Sequence, residues 1–168
     1  ESYLRRNYKA RFFSWFSPDS MNATLLREET ASEDSIIEAA NTLPFFAERR
    51  LVFVEESGLF QKSADKLADY LPGLPESTVL VFSERAADKR GRLYKALAKC
   101  GEVVACEHPS ERELKLWAAR YLLRSGKKIQ ESVLERFLVQ VGGDMEALSG
   151  ELEKLIAYLG EREAVTRE

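Results

Sequence analysis

The segment Leu43-Pro-Phe-Phe-Ala-Glu-Arg-Arg-Leu-Val-Phe-Val-Glu55 joins two halves of opposite character. From Arg50 to Glu55 the middle is apolar throughout, with Val52, Phe53 and Val54 β-branched or aromatic, and acids followed by Ser57-Gly58 close the run. A short apolar run bounded in this way reads as a buried strand of a parallel sheet. In the first half, Phe45 and Phe46 are adjacent, follow Pro44 and precede Arg49 and Arg50. Neighbouring side chains point roughly 100° apart on a helix, or to opposite faces of a strand, so one core cannot readily take both rings. Two readings are open. Both rings pack inside, one of them at a domain edge, or they form an exposed apolar anchor that fits a partner's pocket.

On either side of this segment, helical and strand patterns alternate. Tyr3, Leu4, Tyr8, Phe12, Trp15 and Phe16 recur at three- and four-residue spacing, which predicts an amphipathic helix ended by Ser17-Pro18-Asp19. Ala23 to Arg27 reads as a short strand followed by an acidic loop, and Ser32 caps a helix with Ile36, Ile37 and Ala40 inward. After the Arg50–Glu55 strand, Phe60, Ala64, Leu67 and Leu71 predict one helix, stopped by Pro72-Gly73 and Pro75. Thr78 to Phe82 is a second buried strand, Leu93 and Leu97 mark a helix to about Lys99, and Glu102 to Cys106 is a third such strand. Helices alternating with short, continuously apolar strands predict a three-layer α/β sheet with right-handed crossovers.

The pattern changes at His108-Pro109. Ser110-Glu-Arg-Glu113 is a capping box opening a helix with Leu114, Trp117, Tyr121 and Leu122 on one face, ended by Gly126. Val133, Leu134, Phe137, Leu138 and Val141 make the next helix, to Gly142-Gly143. Asp144 caps a third, with Leu148, Leu152, Leu155, Ile156 and Leu159 inward and Gly160 closing it. No strand signal follows Cys106. The expected organisation is an α/β domain over residues 1–108 and a three-helix lid over 109–168.

Composition narrows the function. The 168 residues carry a net charge of −3, so nothing draws the whole chain to nucleic acid. Its apolar runs are too short for a membrane span, and no signal-peptide pattern begins it. Cys100 and Cys106 lack metal-ligand spacing and read as small buried thiols rather than a disulfide, which makes the expected location cytoplasmic. The chain starts at Glu1 without Met and ends at Glu168 as a new element begins, as a piece of a longer protein would.

Catalytic motifs are not found. No two glycines have P-loop spacing, and no Gly-Lys precedes Ser or Thr. Gly126-Lys127-Lys128 reads as a solvated turn rather than a phosphate site, and Val54-Glu55-Glu56 resembles an acid pair of the Walker-B kind with no phosphate loop to serve. His108 is the single histidine and is expected to pack in the interdomain link, so no His-based triad or cluster exists within the chain. No metal, cofactor or catalytic residue is expected. Basic residues gather at Arg85, Lys89, Arg90 and Arg92, and at Arg120, Arg124, Lys127 and Lys128. Acids accompany most of them and aromatics are not interleaved, so they read as solvated faces. The other reading is a DNA- or subunit-facing surface.

Leu43–Glu55, Ser77–Phe82, Asp88-Lys-Arg90 with Leu93–Leu97, Glu111–Leu114, and Val141–Asp144 leading into Glu151–Leu155 occur in an order and spacing similar to the delta subunit of the bacterial DNA polymerase III clamp loader. The resemblance implies an AAA+-like, P-loop NTPase-type domain without nucleotide binding, followed by a helical lid. It implies that Leu43, Pro44, Phe45 and Phe46 insert into the beta sliding clamp, with Arg49 and Arg50 as possible rim contacts. It implies a non-catalytic accessory role in DNA replication, grouped with a DNA-directed DNA polymerase (a nucleotidyltransferase) only within the holoenzyme. The implied partners are the clamp, the other loader subunits through a collar domain beyond Glu168, and DNA within the assembled loader. The family's first strand and glycine turn would precede Glu1. The rival expectations are an AAA+ ATPase whose P-loop lies upstream, and a DNA-binding module that works without a clamp.

Overall fold

The structure is a computed structural model that describes residues 1–16 and 21–165, so the helix stop expected at Ser17-Pro18-Asp19 lies outside the described residues. The chain divides into two compact units, one of Ser2–Cys106 and one of Glu107–Glu168 together with Glu1.

In the first unit, β1 (Ala23–Arg27), β2 (Arg50–Glu55) and β3 (Thr78–Ser83) form a parallel sheet in that order, with Leu25, Phe53 and Val81 in register. β2 is central, and Arg50 to Val54 are buried, as the apolar run Leu51–Val54 requires. Its alternating side chains serve two faces. Val52 and Val54 join a core with Ile36 of α2 (Glu33–Asn41), Leu67 and Ala68 of α3 (Asp65–Tyr70) and Leu93 of α4 (Arg92–Cys100). On the other face, α1 (Ser2–Phe16) lays Phe12 and Phe13 against Phe53, with ring centroids 6.3 and 5.6 Å apart. The result is a mixed α/β unit with helices on both faces of a parallel sheet.

Several expectations are corrected. In α1 the periodic stripe is turned inward only in part: Tyr3, Leu4, Phe12 and Phe16 are half-buried, Tyr8 and Trp15 are exposed, and Phe13, outside the stripe, also meets the sheet. The single helix expected from Phe60 to Leu71 is broken. Gly58 at φ +68° starts a 3-10 turn at Leu59–Gln61, Lys62 is extended, and α3 starts at Asp65, where the Leu67 amide donates to Glu33 Oε2 at 2.7 Å. Glu102 to Cys106 is not a strand, and Val103 and Val104 lie about half exposed. β-branched residues form a strand only where a neighbour pairs their backbone, and none of the described strands pairs this one. Cys100 is exposed, its Sγ 3.0 Å from Ala96 O, and Cys106 is half-buried; neither is in a disulfide. His108 is exposed rather than packed.

In the second unit, α5 (Glu111–Arg124), α6 (Glu131–Val141) and α7 (Met145–Leu159) bury Leu114, Ala118, Leu122, Leu134, Leu148 and Leu152. The capping box forms as expected: Ser110 N donates to Glu113 Oε2 at 2.8 Å, and hydrogen bonds to Ser110 hold the Glu113 carboxyl below its usual range. Strand structure does follow Cys106, as a short parallel pair of β4 (Lys128–Ile129) and β5 (Ala164–Val165). Lys127 is not a solvated turn residue. It is buried, and its Nζ donates to Gly160 O at 2.5 Å and Arg162 O at 3.0 Å, satisfying carbonyls just past the C-terminus of α7.

Candidate functional site

The two edges of the three-stranded sheet carry different chemistry. At the edge where the strands begin, α2 ends because Leu43 precedes Pro44, which disfavours helical backbone at Leu43. The chain then crosses from Thr42 to Arg49 before entering β2. Leu43 is 80% exposed, Phe45 54% and Phe46 95%, while Pro44 is half-buried and Arg49 exposed. The reading in which both rings pack inside is therefore excluded in this unit. The rings lie edge to face, centroids 4.5 Å apart. Met21, 72% exposed, precedes Asn22 at the same edge.

This apolar loop is tied down by polar groups. The Phe45 amide donates to Asn22 Oδ1 at 2.5 Å, and Asn22 Nδ2 donates to Phe45 O at 2.8 Å. One side-chain amide thus pairs both backbone groups of Phe45, as a neighbouring strand would. Asn22 is itself fixed, because its carbonyl accepts the Leu51 amide at 2.7 Å. Arg50, expected as a possible rim contact, is instead only 5% exposed. Its Nη1 donates to Thr42 O at 3.1 Å and its Nη2 to Thr24 Oγ1 at 2.8 Å, while burial holds the guanidinium below its usual range. Arg50 ties the end of α2 to β1 and is not free to meet a partner's rim. Phe46 sits at φ +47°, a left-handed conformation that costs a non-glycine residue about 1–2 kcal/mol. Strain of that kind concentrates at ligand clamps and switch regions.

At the opposite edge, beyond the C-terminal ends of the strands, α/β folds commonly place ligands. Here the carboxylates face cations. Glu55 meets Lys9 Nζ at 2.6 Å and Arg27 Nε at 2.9 Å; Glu56 pairs with Arg5 and, at 3.4 Å, with Arg85. Burial pushes the Glu55 carboxyl up, but hydrogen bonds and charge from Lys9 and Arg27 outweigh it and hold the group below its usual range. Glu84 accepts the Ser57 amide at 2.8 Å and the Ser57 hydroxyl. The acid pair in Val54-Glu55-Glu56 is thus part of an ion-pair network that fastens α1 to the sheet.

The basic clusters are likewise matched by acids where their contacts are defined. Arg85 pairs with Glu56, Arg90 with Asp88, and Arg92 with Asp65 and Asp69. In the second unit, Arg120 and Arg124 flank a shallow pocket along α5 with Glu113, Leu116, Trp117 and Tyr121, whereas Lys127 is turned inward. Among the described residues no helix is long and apolar enough to cross a membrane.

Asn22, Thr24 and Thr42 were not singled out by the sequence. Asn22 and Phe45 lie 23 positions apart, and no local pattern links them. An asparagine just ahead of a strand is the one available signal, and it suggests only a turn.

The model of the family "DNA polymerase III, delta subunit" matches residues 15–107, which include the exposed loop and the whole sheet. The DNA polymerase III subunit delta of Bacillus subtilis (strain 168) is 27% identical over 144 residues, covering 79% of this chain and 42% of that protein. Among solved structures, the Bacillus subtilis DNA clamp loader delta protein matches with a TM-score of 0.78 and 24% identity, over 98% of this chain and 53% of that one. This second likeness speaks for the fold. The chain spans about half the length of these relatives.

Proposed function

The chain belongs to the DNA polymerase III delta-subunit family, and on that premise we propose that it docks on the ring-shaped beta sliding clamp through Leu43, Pro44, Phe45 and Phe46. The observation that carries this reading is the exposure of two adjacent phenylalanines on a loop that Asn22 and Arg50 hold in place. Each ring that leaves water for a clamp pocket contributes on the order of 1.5–3 kcal/mol before ordering costs. Leu43 widens the apolar patch, Pro44 narrows the loop's unbound ensemble, and Arg49 is the remaining candidate for a rim contact.

In this reading the protein is an accessory clamp-loader subunit with no active site of its own. It helps to open the clamp, or hold it open, for loading onto primed DNA, while nucleotide hydrolysis comes from partner subunits. The first unit corresponds to an AAA+-like domain and the second to its helical lid. The other loader subunits would be met mainly through a collar domain, and DNA within the assembled loader. The ion pairs around Glu55 and Glu56 support the non-catalytic part, since both carboxylates face cations of the chain itself.

The test is binding of the chain to its cognate sliding clamp at two salt concentrations, wild type beside Phe45→Ala/Phe46→Ala. Wild type is expected to bind with little salt dependence, and the double variant to lose about 3 kcal/mol or more, roughly a hundredfold or greater. A folded wild type that ignores the clamp would sink the proposal. Nucleotide binding by the longer protein would favour the ATPase reading instead, and steeply salt-dependent DNA binding by this chain the DNA-binding one.

A further inference from the structure

We infer that Asn22 is a positioning residue for docking: its side-chain amide fixes the Phe45 backbone so that both rings are presented in their bound arrangement before a partner arrives. The inference rests on the docking reading above and adds to it a residue outside the loop.

Three observations carry it. First, the hold is bidentate. Asn22 accepts from Phe45 N and donates to Phe45 O, at 2.5 and 2.8 Å, which fixes the direction of the loop as well as its distance from the sheet. Secondly, the anchor is rigid, because Asn22 lies beside β1 and its own carbonyl takes the Leu51 amide of β2. Thirdly, the hold does little for the core. The segment it fixes presents Phe45 and Phe46 to solvent, and neither ring belongs to the buried cluster under the sheet. A polar clamp on a loop that buries no apolar core limits the freedom of that loop. That freedom would otherwise be lost on binding, at a cost in affinity. The left-handed backbone of Phe46, next in sequence, fits a loop whose conformation is imposed by its anchors.

The test uses the whole chain and its cognate clamp. Asn22→Ala removes both hydrogen bonds and is expected to weaken clamp binding roughly 10- to 50-fold, mainly through faster dissociation, with the thermal midpoint nearly unchanged. Asn22→Asp keeps the shape and the acceptor but sets a carboxylate against Phe45 O, and it too is expected to bind more weakly. It gives the answer if Asn22→Ala fails to fold. Amide exchange at Phe45 in the free chain should quicken in either variant while the amides of β2 stay protected, which a general loss of structure would not produce. A cycle with Phe45→Leu separates positioning from any effect elsewhere: the loss from Asn22→Ala should shrink when the ring it positions has been replaced. If wild type binds the clamp and folded Asn22 variants bind equally well, or if the losses simply add, the positioning role is wrong and the docking reading stands. If wild type does not bind, docking itself fails and takes the positioning role with it.

Discussion

The two edges of one three-stranded sheet divide the polar and apolar work between them. Where the strands end, Glu55, Glu56 and Glu84 face Lys9, Arg27, Arg5 and Arg85 or backbone amides, and the ion pairs fasten α1 to β2. Where the strands begin, the side chains of Asn22, Arg50 and Thr24 and the carbonyl of Thr42 hold a loop that shows solvent its leucine and both phenylalanines. Charge at the first edge closes the fold on itself; at the second, polar groups, of which Arg50 is buried and Asn22 and Thr24 half-buried, support exposed apolar surface. The edge usual for chemistry in α/β folds has become structural, and the opposite edge carries the candidate site.

That contrast can be broken at either edge. The largest effect on stability is expected from Arg50→Ala, which leaves Thr42 O and Thr24 Oγ1 without their donor and empties a buried volume. Unfolding in urea should show a loss of about 2–4 kcal/mol. An unchanged midpoint would mean that the guanidinium does not hold this edge together. A smaller loss, about 1 kcal/mol, is expected from Glu55→Gln at the other edge, with no change in clamp affinity. The pH dependence sharpens this. The Glu55 carboxyl is held below its ordinary value of 4.5 in the folded chain, so its stabilisation is present above that value and is lost as pH falls through the lower, folded value. Stability measured against pH should therefore flatten on the acid side in Glu55→Gln; a slope equal to wild type would place the titrating group elsewhere. The smallest effect is expected from Thr24→Val, which removes one hydrogen bond from Arg50 and should cost about 0.5 kcal/mol by thermal unfolding.

Elements set by local chemistry were legible in the sequence. The Arg50–Glu55 strand followed from its apolar run Leu51–Val54, and the helix starts at Ser32, Ser110 and Asp144 from capping residues that accept amides within their own first turn. Elements that depend on a distant partner were not. Glu102 to Cys106 has the composition of a strand but no described strand beside it, and the Phe60–Leu71 pattern did not reveal that Gly58 would turn its first part into a separate 3-10 segment. The site divides in the same way. Phe45 and Phe46 stood out as adjacent rings after a proline, and resemblance, not periodicity, favoured their exposure. Arg50, Lys127 and Asn22 were misread or missed because each satisfies backbone groups that only the folded chain brings near.

One crossed measurement tests the division most directly: clamp affinity and thermal midpoint for Phe45→Ala/Phe46→Ala beside Glu55→Gln/Glu56→Gln. The ring pair should lose roughly a hundredfold in affinity and leave the midpoint close to wild type, while the acid pair lowers the midpoint by several degrees and leaves affinity unchanged. Loss of affinity from the acid pair with none from the ring pair would put the docking site at the other edge of the sheet and contradict the division drawn above.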